Sequence, residues 1–189
     1  MREQSRQTRQ QIFDACSKIL REEGLSNLTL EAVADAAGIS KGGLLYHFPT
    51  KKELIEAVFD YYNNIFETRL QELADAEGDE PGAWLRAYTK ASIEQSADPD
   101  NASVYASLFA AEERYVSAHQ LMRQKYDKWQ REVESCGIDP TLATLARLAV
   151  DGLWFSEIHQ YAPPDRERRE KILNLILEMT YSPELQETS

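Results

Sequence analysis

Apolar residues recur at three- and four-residue spacing along almost the whole chain, and no run alternates with the period of two that a half-buried strand needs. Over residues 5–23, Ile12, Phe13, Cys16, Ile19 and Leu20 share one helical face, and Gly24 supplies the stop. Thr29 caps a short helix whose inner face is Leu30, Val33, Ala34 and Ala37; Gly38 ends it, and Ser40 caps the next helix at once. Such a junction turns two short helices sharply against each other, which is the geometry of a helix-turn-helix whose second helix runs over residues 41–48. The position before Pro49 disfavours helix, and Thr50-Lys51-Lys52-Glu53 has the spacing of a capping box. A long fourth helix follows, with Leu54, Ile55, Val58, Tyr62, Phe66 and Leu73 in phase, and fades near Ala74 before the acidic stretch DAEGDEPG. Further helices are predicted over 81–97, 102–113, 117–136, 140–161 and 166–180, and the tail SPELQETS is expected to fray. The pattern predicts an all-α fold of about nine helices, with a three-helix N-terminal domain over residues 1–52 and a helical body over 53–189.

Composition narrows the function classes. Hydrophobic residues make up 42% and charged residues 28% of the 189, the balance of a folded globular chain. There is no apolar run long enough to span a bilayer, and the polar start MREQSRQTRQQ lacks the apolar stretch of a signal peptide, so a cytoplasmic protein without membrane attachment is expected. Cys16 and Cys136 lie in helical segments without C-x-x-C spacing and read as free thiols; neither a metal nor a cofactor is expected. The formal charge of -11 would seem to oppose nucleic acid, but it is unevenly distributed. Residues 1–52 carry 8 Lys/Arg against 6 Asp/Glu, whereas the remainder is strongly acidic, so only the N-terminal part suits phosphate and the rest should point away from it.

Within Ile39-Ser40-Lys41-Gly42-Gly43-Leu44-Leu45-Tyr46-His47-Phe48, helical spacing sends Leu44 and Phe48 inward and leaves Lys41, Tyr46 and His47 outside. Two glycines inside a helix cost roughly 1 kcal/mol each relative to alanine, and their lack of side chains would let a backbone approach a base edge or phosphate; relief of crowding against the preceding helix is the alternative. Lys51 and Lys52 sit at the positive end of a helix dipole, a position that a bound phosphate would make favourable.

The segment LTLEAVADAAGISKGGLLYHFPTKKEL, residues 28–54, strongly resembles the DNA-binding domain of the TetR family of regulators. The resemblance implies that Thr29, Ser40, Lys41, Tyr46, His47 and Lys51 contact the DNA backbone, with Gly42, Gly43 and Leu45 at the bases. Gly43 and Leu45 depart from the larger or more polar residues many members carry there, which leaves van der Waals contact to thymine methyls or shape readout. The resemblance further implies a homodimer formed by the last two helices. Leu145, Leu148, Gly152 and Phe155, together with Ile172, Ile176 and Met179, are the expected interface, because the apolar positions of these helices exceed one face.

An aromatic-rich set in the body, Tyr62, Phe66, Trp84, Tyr88, Tyr105, Phe109, His119, Met122, Tyr126, Trp129, Trp154 and His159, could line a largely apolar pocket for a small-molecule effector or could be plain core. The expected function is a ligand-responsive regulator, a repressor released from a palindromic operator. Control by a protein partner is the nearest alternative. A small helical enzyme fits poorly, since no phosphate loop, zinc spacing or nucleophile elbow is present and His47, His119 and His159 are isolated.

Overall fold

A computed structural model describes residues 2–112 and 115–181. The helices are α1 (Arg2–Glu22), α2 (Leu30–Ala36), α3 (Lys41–His47), α4 (Lys51–Glu77), α5 (Ala83–Ala97), α6 (Pro99–Glu112), α7 (Val116–Glu134), α8 (Pro140–His159) and α9 (Arg166–Met179), with a short 3-10 turn at Leu25–Asn27. No strand occurs among the described residues, so the all-α reading holds. The expected tail and the end of the sixth helix at residue 113 lie outside the described residues.

Local chemistry accounts for most of the boundaries. The α2–α3 corner works because Gly38 adopts φ 66 and closes α2: the Ile39 N–H reaches the Ala34 carbonyl at 3.0 Å and the Gly38 N–H reaches that of Asp35 at 3.1 Å. The capping box before α4 forms as its spacing predicts, with the Glu53 N–H donating to Thr50 Oγ1 and the Thr50 N–H to the Glu53 carboxylate. Three boundaries differ from expectation by three residues, and the first is α1, which starts at Arg2 rather than residue 5. Helix α4 continues through the acidic stretch to Glu77, whose carboxylate is held by Arg86 and Lys90. Helix α6 starts at Pro99 rather than residue 102, because Asp98 accepts from the Asp100 N–H at 3.0 Å and proline suits a first helical position, where no N–H is needed.

The chain forms two compact units, one of Met1–Asn64 with Ser103–Leu121 and one of Ile65–Ala102 with Met122–Ser189. The division falls inside α4, beyond the boundary expected at residue 52. The reason is that the first half of α4 buries Leu54, Ile55, Val58, Phe59 and Tyr62 in the first unit, and Tyr62 Oη donates to Ser17 Oγ at 2.5 Å. Burying each such aliphatic or aromatic side chain contributes roughly 1.5–3 kcal/mol. Residues 103–121 belong there too: the Ser107 hydroxyl donates to the Leu20 carbonyl at 3.1 Å, and that of Ser117 to Glu56. The second unit has α5 against α8 and α8 against α9, with Phe66, Leu85, Tyr88, Trp129, Val133, Val150 and Ile176 at its centre. Gly82 is required at the start of α5: its φ is 77, and a Cβ there would lie 2.5 Å from the Thr180 carbonyl oxygen. Among the described residues, no helix is long and apolar enough to cross a membrane.

Candidate DNA-binding surface and aromatic cluster

The first unit presents its predicted residues on and around α3. Leu44 and Phe48 are buried, Tyr46 is 83% exposed, Lys41 and Gly42 are exposed, and Gly43, Leu45, His47 and Lys51 are half-buried. Ser40 and Thr29 are exposed caps whose hydroxyl oxygens accept from the N–H of Gly43 at 3.0 Å and of Ala32 at 3.1 Å. A hydroxyl that accepts from its own helix still has its proton to donate, so each cap fixes a helix end and keeps a donor for a phosphate oxygen. The two glycines differ. A Cβ on Gly43 would sit 3.3 Å from Ser40 Oγ, so the cap itself leaves little room there; a Cβ on Gly42 would meet nothing within 4 Å. Crowding inside the chain thus bears on Gly43 and does not account for Gly42.

The cations of this surface are in different states. Lys41 donates to Glu31, Lys52 lies 3.7 Å from Glu56, and Lys51 has no ion pair among the described residues. Arg9 lies over the rings of Phe13 and Phe48, 5.5 and 4.8 Å from their centroids, and so braces the end of α3 against α1. Burial pushes the Cys16 thiol up to about 12, which leaves it an inert core residue as its position suggests.

The predicted aromatic set is not brought together in one place. Tyr62, Tyr105, Phe109 and His119 belong to the first unit, where the Tyr62 and Tyr105 rings meet edge to face at 5.5 Å and His119 is exposed. Phe66, Trp84, Tyr88, Met122, Tyr126 and Trp129 gather in the second unit, with ring centroids 5.0–6.0 Å apart. Phe66, Tyr88 and Trp129 pack there as core. Trp154 and His159 lie half-buried on α8, and His159 stacks with Tyr161 at 5.5 Å.

Sequence reasoning missed the polar groups of this cluster. Tyr88 Oη donates to Asp151 at 2.6 Å, Arg147 pairs with Asp151, and Arg147 Nε donates to Gln130 at 2.7 Å. Burial raises the Asp151 carboxyl above its usual value despite these partners. Arg147 and Asp151 are one helical turn apart on a mostly apolar helix, and that spacing was the available signal. The buried Trp129 Nε1 has no hydrogen-bond partner among the described residues. Two open depressions also mark this unit. One, of about 590 Å³, lies between α8 and α9 and includes Gly152 and Ile172; the other, of about 560 Å³, includes Trp84, Glu132 and Cys136.

Residues 12–58 match the family described as bacterial regulatory proteins, tetR family, and residues 82–181 match the tetracyclin repressor-like C-terminal domain. The chain belongs to the TetR family. The regulator AcrR of Shigella flexneri is 25% identical over 144 residues, 71% of this chain, and the chain spans just under two thirds of it, 66%. The regulator CymR of Pseudomonas putida is 27% identical over 187 residues, 94% of this chain and 91% of CymR. A crystal structure of a transcriptional regulator from Rhodococcus sp. Rha1 superposes with a TM-score of 0.74 at 25% identity, covering 90% of this chain and 94% of that one. TetR-family proteins are DNA-binding transcriptional regulators, not enzymes, and the all-helical fold agrees with that assignment.

In this TetR-family chain the expected interface residues separate by burial. Leu145, Leu148, Gly152 and Phe155 are exposed along one side of α8, and Ile172 and Met179 are half-buried on α9. Ile176 needs correcting: at 2% exposure it sits in the chain's own core and has no surface for a partner. Its neighbour Leu175, missed from sequence, is the exposed residue of that turn at 59%. Helix α9 is apolar at 172, 173, 175, 176, 177 and 179, so its pattern does not distinguish inner from outer stripe.

Proposed function

We propose that this protein is a cytoplasmic, homodimeric repressor that holds a palindromic operator through α3 and the start of α4 and is released by a small, mostly apolar effector bound in its second unit. The observation that carries the DNA reading is the set Thr29, Ser40, Lys41, Tyr46, His47 and Lys51: two hydroxyl donors, cations, an exposed Tyr46 ring and a half-buried His47 ring on a short, buried-cored helix pair and the helix that follows. Gly42, Gly43 and Leu45 are the positions that approach the bases. Support for the dimer is the exposed apolar set Leu145, Leu148 and Phe155 on α8 with Leu175 on α9, the two helices whose open groove includes Gly152 and Ile172. Two copies related by a two-fold axis would present recognition helices to major grooves about 34–36 Å apart, or a multiple of that.

The effector reading rests on the aromatic cluster around Tyr88 and Trp129, where the Trp129 indole N–H lacks an acceptor among the described residues and Tyr88 reaches the Asp151–Arg147 pair. An acceptor on a planar, mostly apolar molecule would satisfy that donor, and entry must part ring contacts that are closed here, so binding acts by shifting the conformational population. Coupling of about 1–3 kcal/mol would weaken operator binding by about 5- to 150-fold.

The DNA reading is tested by Lys51→Ala. Affinity for specific and mixed-sequence duplexes should fall together, and the slope of log affinity against log salt should become shallower by about 1 per protomer. Unchanged binding at moderate salt would remove Lys51 from the phosphate face.

A further inference from the structure

The Lys41 ammonium at the start of α3 donates to the Glu31 carboxylate in the first turn of α2. Both side chains are open to solvent, at 57% and 69%, and Glu31 lies beside the Thr29 cap on the surface assigned to DNA. The hydrogen bond and charge of Lys41 hold the Glu31 carboxyl below its usual value, so it is fully ionised near neutral pH. An exposed ion pair of this kind contributes little to stability, so the fold alone gives little reason for an acid here. For DNA binding it matters more. A phosphate that engages Lys41 must either draw the ammonium away, leaving a bare carboxylate a few ångströms from a second anion, or share the ammonium with that carboxylate. Each course subtracts from the sequence-independent part of the affinity, which depends on how many cations replace counterions along the backbone.

We propose that Glu31 is an affinity-limiting residue that acts through Lys41, an internal stand-in for a backbone phosphate that sets the strength and salt dependence of DNA binding. The inference rests on the reading of this surface as the DNA face. Lys51, without an ion pair among the described residues, then supplies the unrestrained phosphate contact, and Lys41 supplies one that becomes available only by exchange. The α2 carboxylate Asp35 provides the control, since it is exposed and has no ion pair among the described residues.

The test uses the full chain and a mixed-sequence duplex, with affinity measured by fluorescence anisotropy from low to moderate salt. Glu31→Gln should bind roughly three- to tenfold more tightly at low salt, with the slope of log affinity against log salt steeper by up to about 0.9 per protomer. The gain should vanish when Glu31→Gln is placed in a Lys41→Gln background, and Asp35→Asn should give a clearly smaller gain. A circular-dichroism melt matching wild type shows that the fold is intact in each variant. Binding of Glu31→Gln at or below the wild-type level overturns the proposal, as does a gain that survives in full without Lys41 or is equalled by Asp35→Asn. Wild-type protein that fails to bind duplex DNA in a salt-dependent way overturns the DNA reading together with this inference, whereas normal wild-type binding with an unchanged Glu31→Gln overturns the inference alone.

Discussion

The two units place their polar chemistry in opposite environments. In the first, the groups proposed to meet DNA are at the surface, and their internal bonds are local: Ser40 to its own helix, Thr29 to its own helix, Lys41 to the adjacent short helix. In the second, two sets of polar groups are sunk among rings and aliphatics and join separate segments. Arg86, 3% exposed, holds Glu77 at 2.7 Å and the Pro81 carbonyl at 2.9 Å; Tyr88 holds Asp151. Surface groups with local bonds can be altered with little effect on the fold, because water replaces what is lost. Buried groups cannot, because the partner left behind has no substitute. Binding and stability should therefore be separable in the first unit and entangled in the second.

The strongest test of that contrast is Arg86→Ala. It leaves Glu77 largely buried with only Lys90 to neutralise it, and breaking a buried pair in this way costs about 3–5 kcal/mol, to be read as a lowered denaturant midpoint. The pH dependence follows from the same contacts. Burial raises the Glu77 carboxyl, but the hydrogen bonds and charges of Lys90 and Arg86 outweigh it and hold the group below its usual value. Its contribution is therefore present above the unfolded carboxylate value and is lost as pH falls through the lowered folded one. The variant should lose part of that acid-range slope. A midpoint within experimental scatter of wild type would show that the second unit tolerates loss of its buried charge, and the contrast would fail.

What the sequence made legible follows the same division. The Gly38–Ser40 junction and the Thr50–Glu53 box could be read because each is a bond between residues three to five positions apart, and spacing along the chain is spacing in the helix. Tyr88 and Asp151 are 63 residues apart, and no period connects them, so Tyr88 was legible as an aromatic while its partner was not. The phase of α9 was ambiguous for another reason: its apolar arc is wider than one buried stripe, so Ile176 is buried while its neighbour Leu175 is exposed, and only packing chooses. Composition carries no address, so in sequence the aromatic set forms one group; the fold divides it between the units.

A smaller effect is expected at the exposed stripe of the second unit. Leu148→Glu puts a charge on a surface that is already wet in the isolated chain, so the unfolding midpoint of the protomer should barely move. If that stripe is the interface, the dimer dissociation constant should rise by about 10- to 100-fold, equivalent to about 1.4–2.8 kcal/mol, visible as a concentration-dependent mass in light scattering. A dimer as tight as wild type would move the interface away from this stripe. This prediction sharpens the contrast, since it distinguishes exposed apolar residues from buried polar ones within one unit.

The smallest and most discriminating effect belongs to Gly42→Ala, because it should change stability and binding in opposite directions. Alanine is favoured over glycine inside a helix by about 1 kcal/mol, and the added Cβ would meet nothing within 4 Å, so the protein should become more stable by up to that amount. No internal contact resists the change, and a glycine kept at that cost points to something outside the chain, namely a backbone or base edge arriving at the position where Cβ would stand. Operator affinity should then fall while the melting temperature rises. Gly43→Ala is the comparison, since its Cβ would press at 3.3 Å on the Ser40 cap oxygen and should offset much of the helical gain. If Gly42→Ala raised stability and left operator binding untouched, the face of α3 carrying Gly42 and Tyr46 would not be the face that meets DNA, and the recognition surface would have to be turned toward Gly43 and His47, one turn apart on the adjacent face.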